Sequence, residues 1–304
     1  MPRLIPAAVL AASVLSPVLA NAHVIVGDRV FPVTLTFDDP GVGDEATFPQ
    51  LIWQRGAGPT DLEQLQWEYD KTITPTTALI YNHGFDILQS AGQRTHNGFE
   101  NVVITGKWQA LTVPEHEFVA SFGVQRELAG SVATQNIGGD AYGSTSPTIY
   151  FGKGFGDMPI GVFRPLAVTG ELSYAIPDRR LDWAADNNGS IPTWNGGLSV
   201  QYSIPYLETQ VKSHGLPGFI AGLVPLAELN WTSPAAAPAP GTPEALTLGV
   251  GAIYEGPTYQ IGLEALVPLN RAAGQNVGVL FQVHFFFDDI FPNSLGKPVS
   301  EWFD

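Results

Sequence analysis

The 304-residue chain contains no cysteine. That excludes disulfides, thiolate metal sites, a cysteine nucleophile and a lipidated N-terminal cysteine. Charge is scarce as well. Charged residues make up 14% of the chain, with 14 Lys and Arg against 29 Asp and Glu. The net charge of -15 repels nucleic-acid phosphates and anionic leaflets, so no nucleic-acid partner is expected. Long apolar runs are missing too: beyond Leu19 nothing reaches the ~18 uncharged apolar residues of a membrane-spanning helix. What is present is 33 Gly and 25 Pro, a composition suited to many turns and strands in one large all-β domain.

The first 22 residues read as a cleaved signal peptide. Arg3 supplies the positive start, Leu4 to Leu19 the apolar stretch, and Ala20-Asn21-Ala22 the small-x-small cleavage site, leaving His23 as the first mature residue. Pro6, Pro17 and the polar residues after Ala22 argue against a membrane anchor.

From Phe48 onward apolar residues recur at every second position, the period of a strand. Leu198, Val200, Tyr202, Ile204 and Tyr206 alternate with Gly197, Ser199, Gln201 and Ser203. Tyr259, Ile261, Leu263 and Val267 oppose Gln260, Gly262 and Glu264, and Val279, Phe281, Val283 and Phe285 oppose Gln282 and His284. Similar runs centre on Trp67, Trp108, Phe122, Leu172 and Leu248, with weaker ones at 47–56, 76–88, 147–156 and 220–232. The total is about twelve strands.

Alternation alone fits a soluble β-sandwich equally well. Three features favour a closed antiparallel up-and-down transmembrane β-barrel in the outer membrane of a Gram-negative cell. The runs reach the ~9–11 residues of a tilted membrane strand, against ~5–6 for ordinary strands. Aromatics (Trp53, Tyr81, Trp108, Tyr174, Tyr206, Trp231, Tyr254 and Tyr259) cluster at the ends of the apolar faces, as interfacial girdles do. Links also differ by rim. Those at 73–75, 112–117 and 256–258 are short, and those at 90–100, 130–146, 178–193 and 232–244 are longer, although 57–61 and 270–275 fit less well. The division expected is signal peptide 1–22, an N-terminal periplasmic segment or plug 23–46, barrel 47–290 and periplasmic tail 291–304.

In lipid every backbone N–H must bond within the protein, so the sheet closes and its polar face lines the interior. The lumen-lining candidates are Glu68, Asp70, Lys107, Glu127, Glu171, Glu228, Glu264 and His284. They would tune which solutes pass, or hydrogen-bond into a filled interior. The partners implied are outer-membrane lipid, the barrel-assembly machinery and small solutes.

The stretches WEYDKTITPTTAL (67–79), GFENVVITGKWQAL (98–111), PTIYFGKGFGD (147–157), GGLSVQYSIPYLETQ (196–210) and NVGVLFQVHFFFDDIFP (276–292) carry a resemblance. From Trp67 to its end the chain resembles the bacterial outer-membrane family named for the MetA pathway of phenol degradation. The resemblance implies an outer-membrane barrel linked to uptake or handling of aromatic compounds, and it brings no catalytic residues. One departure stands out: family barrels end on an aromatic of the last strand, whereas here DDIFPNSLGKPVSEWFD follows Phe287. The assembly signal is then internal, or supplied by Phe303.

No constellation predicts enzyme chemistry, a cofactor or a metal. His23 has no second histidine nearby for copper. Asp38, Asp39, Asp44 and Glu45 could offer oxygens to Ca²⁺ but lack EF-hand spacing, so a solvated acidic turn is the favoured reading. Asp288-Asp289 reads as a solvated strand exit. Ser121 with His116, or Ser213 with His214, would be needed for an outer-membrane lipid hydrolase, and neither sits in a nucleophile elbow. Trp183, Asn187, Asn188 and Trp194 could bind a ligand from a long loop. The expected function is a non-enzymatic channel for small or hydrophobic compounds. The alternatives are the lipid hydrolase and a soluble periplasmic ligand-binding protein.

Overall fold

The computed structural model describes residues 24–56, 60–139, 141–181, 189–235 and 244–302. The export segment, His23, Trp183, Asn187, Asn188 and Phe303 lie outside the described residues.

Twelve strands follow one another around a ring. They are β1 Glu45–Arg55, β2 Thr60–Thr74, β3 Thr77–Ser90, β4 Val103–Val113, β5 Phe118–Glu127 and β6 Ser144–Gly154. Next come β7 Leu166–Pro177, β8 Thr193–Tyr202, β9 Leu223–Pro234, β10 Ala245–Glu255, β11 Tyr259–Pro268 and β12 Gly278–Phe286. Each pairs antiparallel with the next, and β12 returns to β1 through Val279↔Trp53 and Phe286↔Glu45, so the sheet closes. A short strand, His96–Phe99, continues β4 along the upper half of β3 and makes part of the 90–100 link a strand. Strand lengths run from 9 residues (β12) to 15 (β2).

Burial separates the two faces. On β8, Ser199 and Gln201 are 0% and 1% exposed, while Leu198 and Val200 point outward. Trp108 at 53% and Leu263 at 58% are among many large apolar side chains on the outside. A sandwich would press these apolar faces together; here they ring the exterior, which water would not tolerate over such an area. No helix among the described residues is long and apolar enough to cross a membrane. Aromatics pair at both ends of the band, Tyr174 with Trp194 at 4.7 Å toward one rim and Phe219 with Tyr254 at 5.4 Å toward the other.

One rim carries the tight links Pro75-Thr76, 114–117 and 256–258, but also the longer 155–165 and 203–222. Residues Ser203 to Tyr206, whose alternation continues that of β8, are not strand. Ser203 Oγ accepts from Tyr206 N at 3.1 Å and starts a helical turn with Pro205 in its first positions. A cap and a proline at a helix start outweigh the two-residue period.

Against this rim lies an N-terminal hairpin, Val24–Val26 paired with Arg29–Phe31. Its turn needs Gly27: φ is +64°, and a Cβ there would stand 2.6 Å from the Pro114 carbonyl oxygen. Val26 and Phe31 pack on Val119 and Ala167. The chain then runs on among inward-facing side chains, where Leu35 is buried with Leu226, Ile253, Leu266 and Leu280. A ring of ~8 strands is filled by its own side chains; twelve leave room for this segment.

Candidate functional site

The interior is built from two partners, the inward face of the ring and residues 33–44. The segment forms no ladder of its own there, so its backbone polar groups are met by wall side chains. Gln260 Oε1 accepts from Val33 N at 3.1 Å, and Glu228 from Leu35 N at 3.2 Å and Thr36 N at 3.0 Å. Leu35 O accepts from Gln50 Nε2 at 2.9 Å, and Glu171 takes Asp38 N at 3.2 Å. Gln109 accepts from Val42 N at 3.2 Å and Asp288 from Asp44 N at 2.9 Å. The Phe37 ring lies on Gly197 of β8, where a Cβ would come within 2.2 Å of it.

Of the eight residues singled out from sequence, Asp70, Lys107, Glu228, Glu264 and His284 are buried, and Glu68, Glu127 and Glu171 are half-buried. The structure brings Glu68, Asp70, Lys107 and Glu171 together around Asp38. Lys107 Nζ reaches Asp38 Oδ2 at 2.9 Å and the Asp39 carbonyl at 2.6 Å, and sits 4.6 Å from the centre of the Tyr150 ring. His284 lies nearby between Thr47 Oγ1 at 2.9 Å and Glu45 Oε2 at 3.0 Å. Glu127 stands apart at the other rim, held by Asn101 and Ser144 at 2.7 Å each. Both carboxylate oxygens of Glu264 are buried without a hydrogen-bond partner.

The acidic cluster expected to be a solvated turn is not one. Asp39, Asp44 and Glu45 are 2%, 1% and 6% exposed. The reason is that partners from elsewhere in the chain meet them: Lys107 inside the ring for Asp38 and Asp39, Lys71 at the rim for Asp44, and His284 for Glu45. Asp288 likewise is no free strand exit. It lies just past β12, and burial, then the nearby Glu45 and Asp44 charges, push its carboxyl up to about 8.

Arg29 was not among the sequence candidates, although it ties the hairpin to two links of the short-turn rim. It is 0% exposed, with Nε on Glu117 Oε2 at 3.1 Å and Nη1 on the Pro165 carbonyl at 3.0 Å. Its guanidinium stacks 3.9 Å from the Tyr206 ring centre. Tyr206 gives its hydroxyl proton to Glu117 at 2.8 Å, and burial with that bond pushes its pKa up to about 12. A glycine-turned VIVGDRVF hairpin with one arginine was the available signal.

On the other side of the segment the ring is hollow. A cavity of about 510 Å³ has polar walls that include Gln50, Gln64, Gln66 and Asn82, with Leu35 and Phe37 at its base. A neighbouring space of about 280 Å³ shares Phe37, Glu171 and Asn230.

No family model matches the sequence, and neither does any curated protein. Among solved structures the chain is similar to the COG4313 outer membrane channel from Pseudomonas putida F1. The TM-score is 0.56 at 11% identity, over 84% of this chain and 99% of that one. The NanC porin aligns over 78% of this chain and 98% of its own, at 8% identity and a TM-score of 0.49.

The fold is an outer-membrane β-barrel. The barrel's Ser–His neighbours have other engagements. Ser121 Oγ is buried and donates to the Pro40 carbonyl, while His116 faces Asp157 at 3.3 Å on the surface. Ser213 Oγ and His214 Nδ1 both turn to Glu208, at 3.1 and 3.2 Å, on an exposed link.

Proposed function

We propose that this protein is a non-enzymatic outer-membrane channel for small compounds, closed by its own residues 24–44 until that segment shifts. The observation that carries this reading is the vestibule of about 510 Å³, whose base is formed by Leu35 and Phe37 of the segment itself. Amide walls over an apolar base suit small, partly apolar solutes, since such a site solvates hydroxyl or carbonyl groups while an aromatic face rests on Leu35 and Phe37, and the lining acids Asp38, Glu68, Glu100 and Glu171 disfavour anions. The resemblance to the phenol-degradation family supports aromatic compounds as the class. The short-turn rim, the hairpin and the tail 291–304 would face the periplasm.

Planar-bilayer recording on the refolded full chain and on a chain lacking 24–44 tests this. The full chain should open rarely and the shortened one conduct steadily. Equal conductance of the two would remove the closing role, and silence of both would remove the channel.

A further inference from the structure

Asp38 on the inner segment meets Glu68 and Asp70 on β2, and one carboxylate oxygen of each lies within 4.8 Å of the others. Such a cluster carries no meaning unless something is left unsatisfied. Here Asp70, 2% exposed, has a buried oxygen, Oδ1, with no hydrogen-bond partner. Among the described residues the donor to Glu68 is the Asn82 amide, which is neutral. Among the described residues the cation paired with this cluster, Lys107, is already divided between Asp38 Oδ2, the Asp39 carbonyl, Asp39 Oδ1 at 3.7 Å and the Tyr150 ring. Positive charge is therefore short where three acids converge, and a buried carboxylate without a partner is costly.

We propose that Asp38, Glu68 and Asp70 form a Ca²⁺ site that pins the inner segment to the barrel wall. Donor chemistry chooses the ion. All three ligands are hard oxygens, with no imidazole or thiolate in the set, which disfavours zinc and copper. Oxygens within 4.8 Å of one another share a centre no more than about 2.8 Å from each, close to the ~2.3–2.6 Å of calcium coordination, and the neighbouring cavity supplies room for water ligands. Two ligands come from the wall and one from the segment, so the ion would bridge the two parts that must separate for the lumen to open. That last consequence rests on the closing role proposed above; binding itself does not.

The test uses the full chain refolded in detergent, with Tb³⁺ as a luminescent calcium substitute excited through Tyr150 and Trp67. Saturable emission displaced by Ca²⁺ is expected, weakened about tenfold or more in Asp70→Asn and Glu68→Gln, and unchanged in Glu264→Gln, which removes a buried lumen carboxylate elsewhere. Should the β2 variants fail to fold, Asp38→Asn on the segment must show the same weakening. Absence of saturable emission from the unaltered chain overturns the site and leaves a proton shared among the acids. Equal affinity in Asp38→Asn or Asp70→Asn overturns it as well. Because no conductance is read, a failed site and a failed channel remain distinguishable.

Discussion

The two halves of the barrel interior are built on opposite principles. Toward the short-turn rim the space is packed: Arg29 and Glu117 pair out of water, and Leu35 joins Leu226, Ile253, Leu266 and Leu280 in an apolar core. Toward the long-loop rim the same strands enclose the cavity bordered by Gln64, Gln66 and Asn82. Both halves are enclosed by the same twelve strands. The difference lies in whether residues 24–44 are there to fill the space. What fills the packed half is thus a segment laid on the wall and held by wall side chains.

Three substitutions would sharpen that contrast. The largest effect is expected from Arg29→Ala. Removing one member of a buried ion pair costs ~3–5 kcal/mol because the other is left uncompensated. The thermal midpoint, read by heat-modifiable gel migration, should fall and basal conductance should rise; an unchanged midpoint would mean that the rim is not held by this contact. Leu35→Ala comes next, at ~2–5 kcal/mol for a leucine truncated in a packed core. It should loosen the packed half while leaving ring assembly intact, measured as protease sensitivity near residue 35. If only ring assembly suffers, the segment is not separable from the wall.

The smallest effect concerns pH. The folded Asp288 carboxyl titrates at about 8, well above its ordinary value of 3.8. The folded form therefore holds its proton more tightly than the unfolded one. Its contribution is complete below about pH 4 and is lost as pH rises toward 8. Asp44 and Glu45 are the charges facing it, and Asp44 N is its donor. Asp288→Asn should flatten the decline of the midpoint between pH 5 and 9, and a slope matching the unaltered chain would show that another group sets it.

Much of this was readable from residues alone. A polar or missing side chain at every second position, as at Gln64, Gln66 and Glu68 or Gln260, Gly262 and Glu264, commits one face to the inside once the sheet closes. The ring, its strand number and its apolar exterior follow. What stayed hidden shares one cause. Asp38 and Asp39 look solvated in sequence, because Lys107 lies far along the chain, and a buried ion pair has no local signature. Arg29 looks like any hairpin arginine until Glu117 and Tyr206 arrive from two different links.

By itself, the order of residues determined the strands, their faces and the closed ring, because a period of two is local and lipid leaves an open sheet edge no partner. Only the tertiary structure decided where residues 24–44 lie and which acids meet which cations. Those contacts join positions far apart in the chain, 27 residues for Lys71 and Asp44 and 227 for Val33 and Gln260, and their energies come from burial that no short stretch can express.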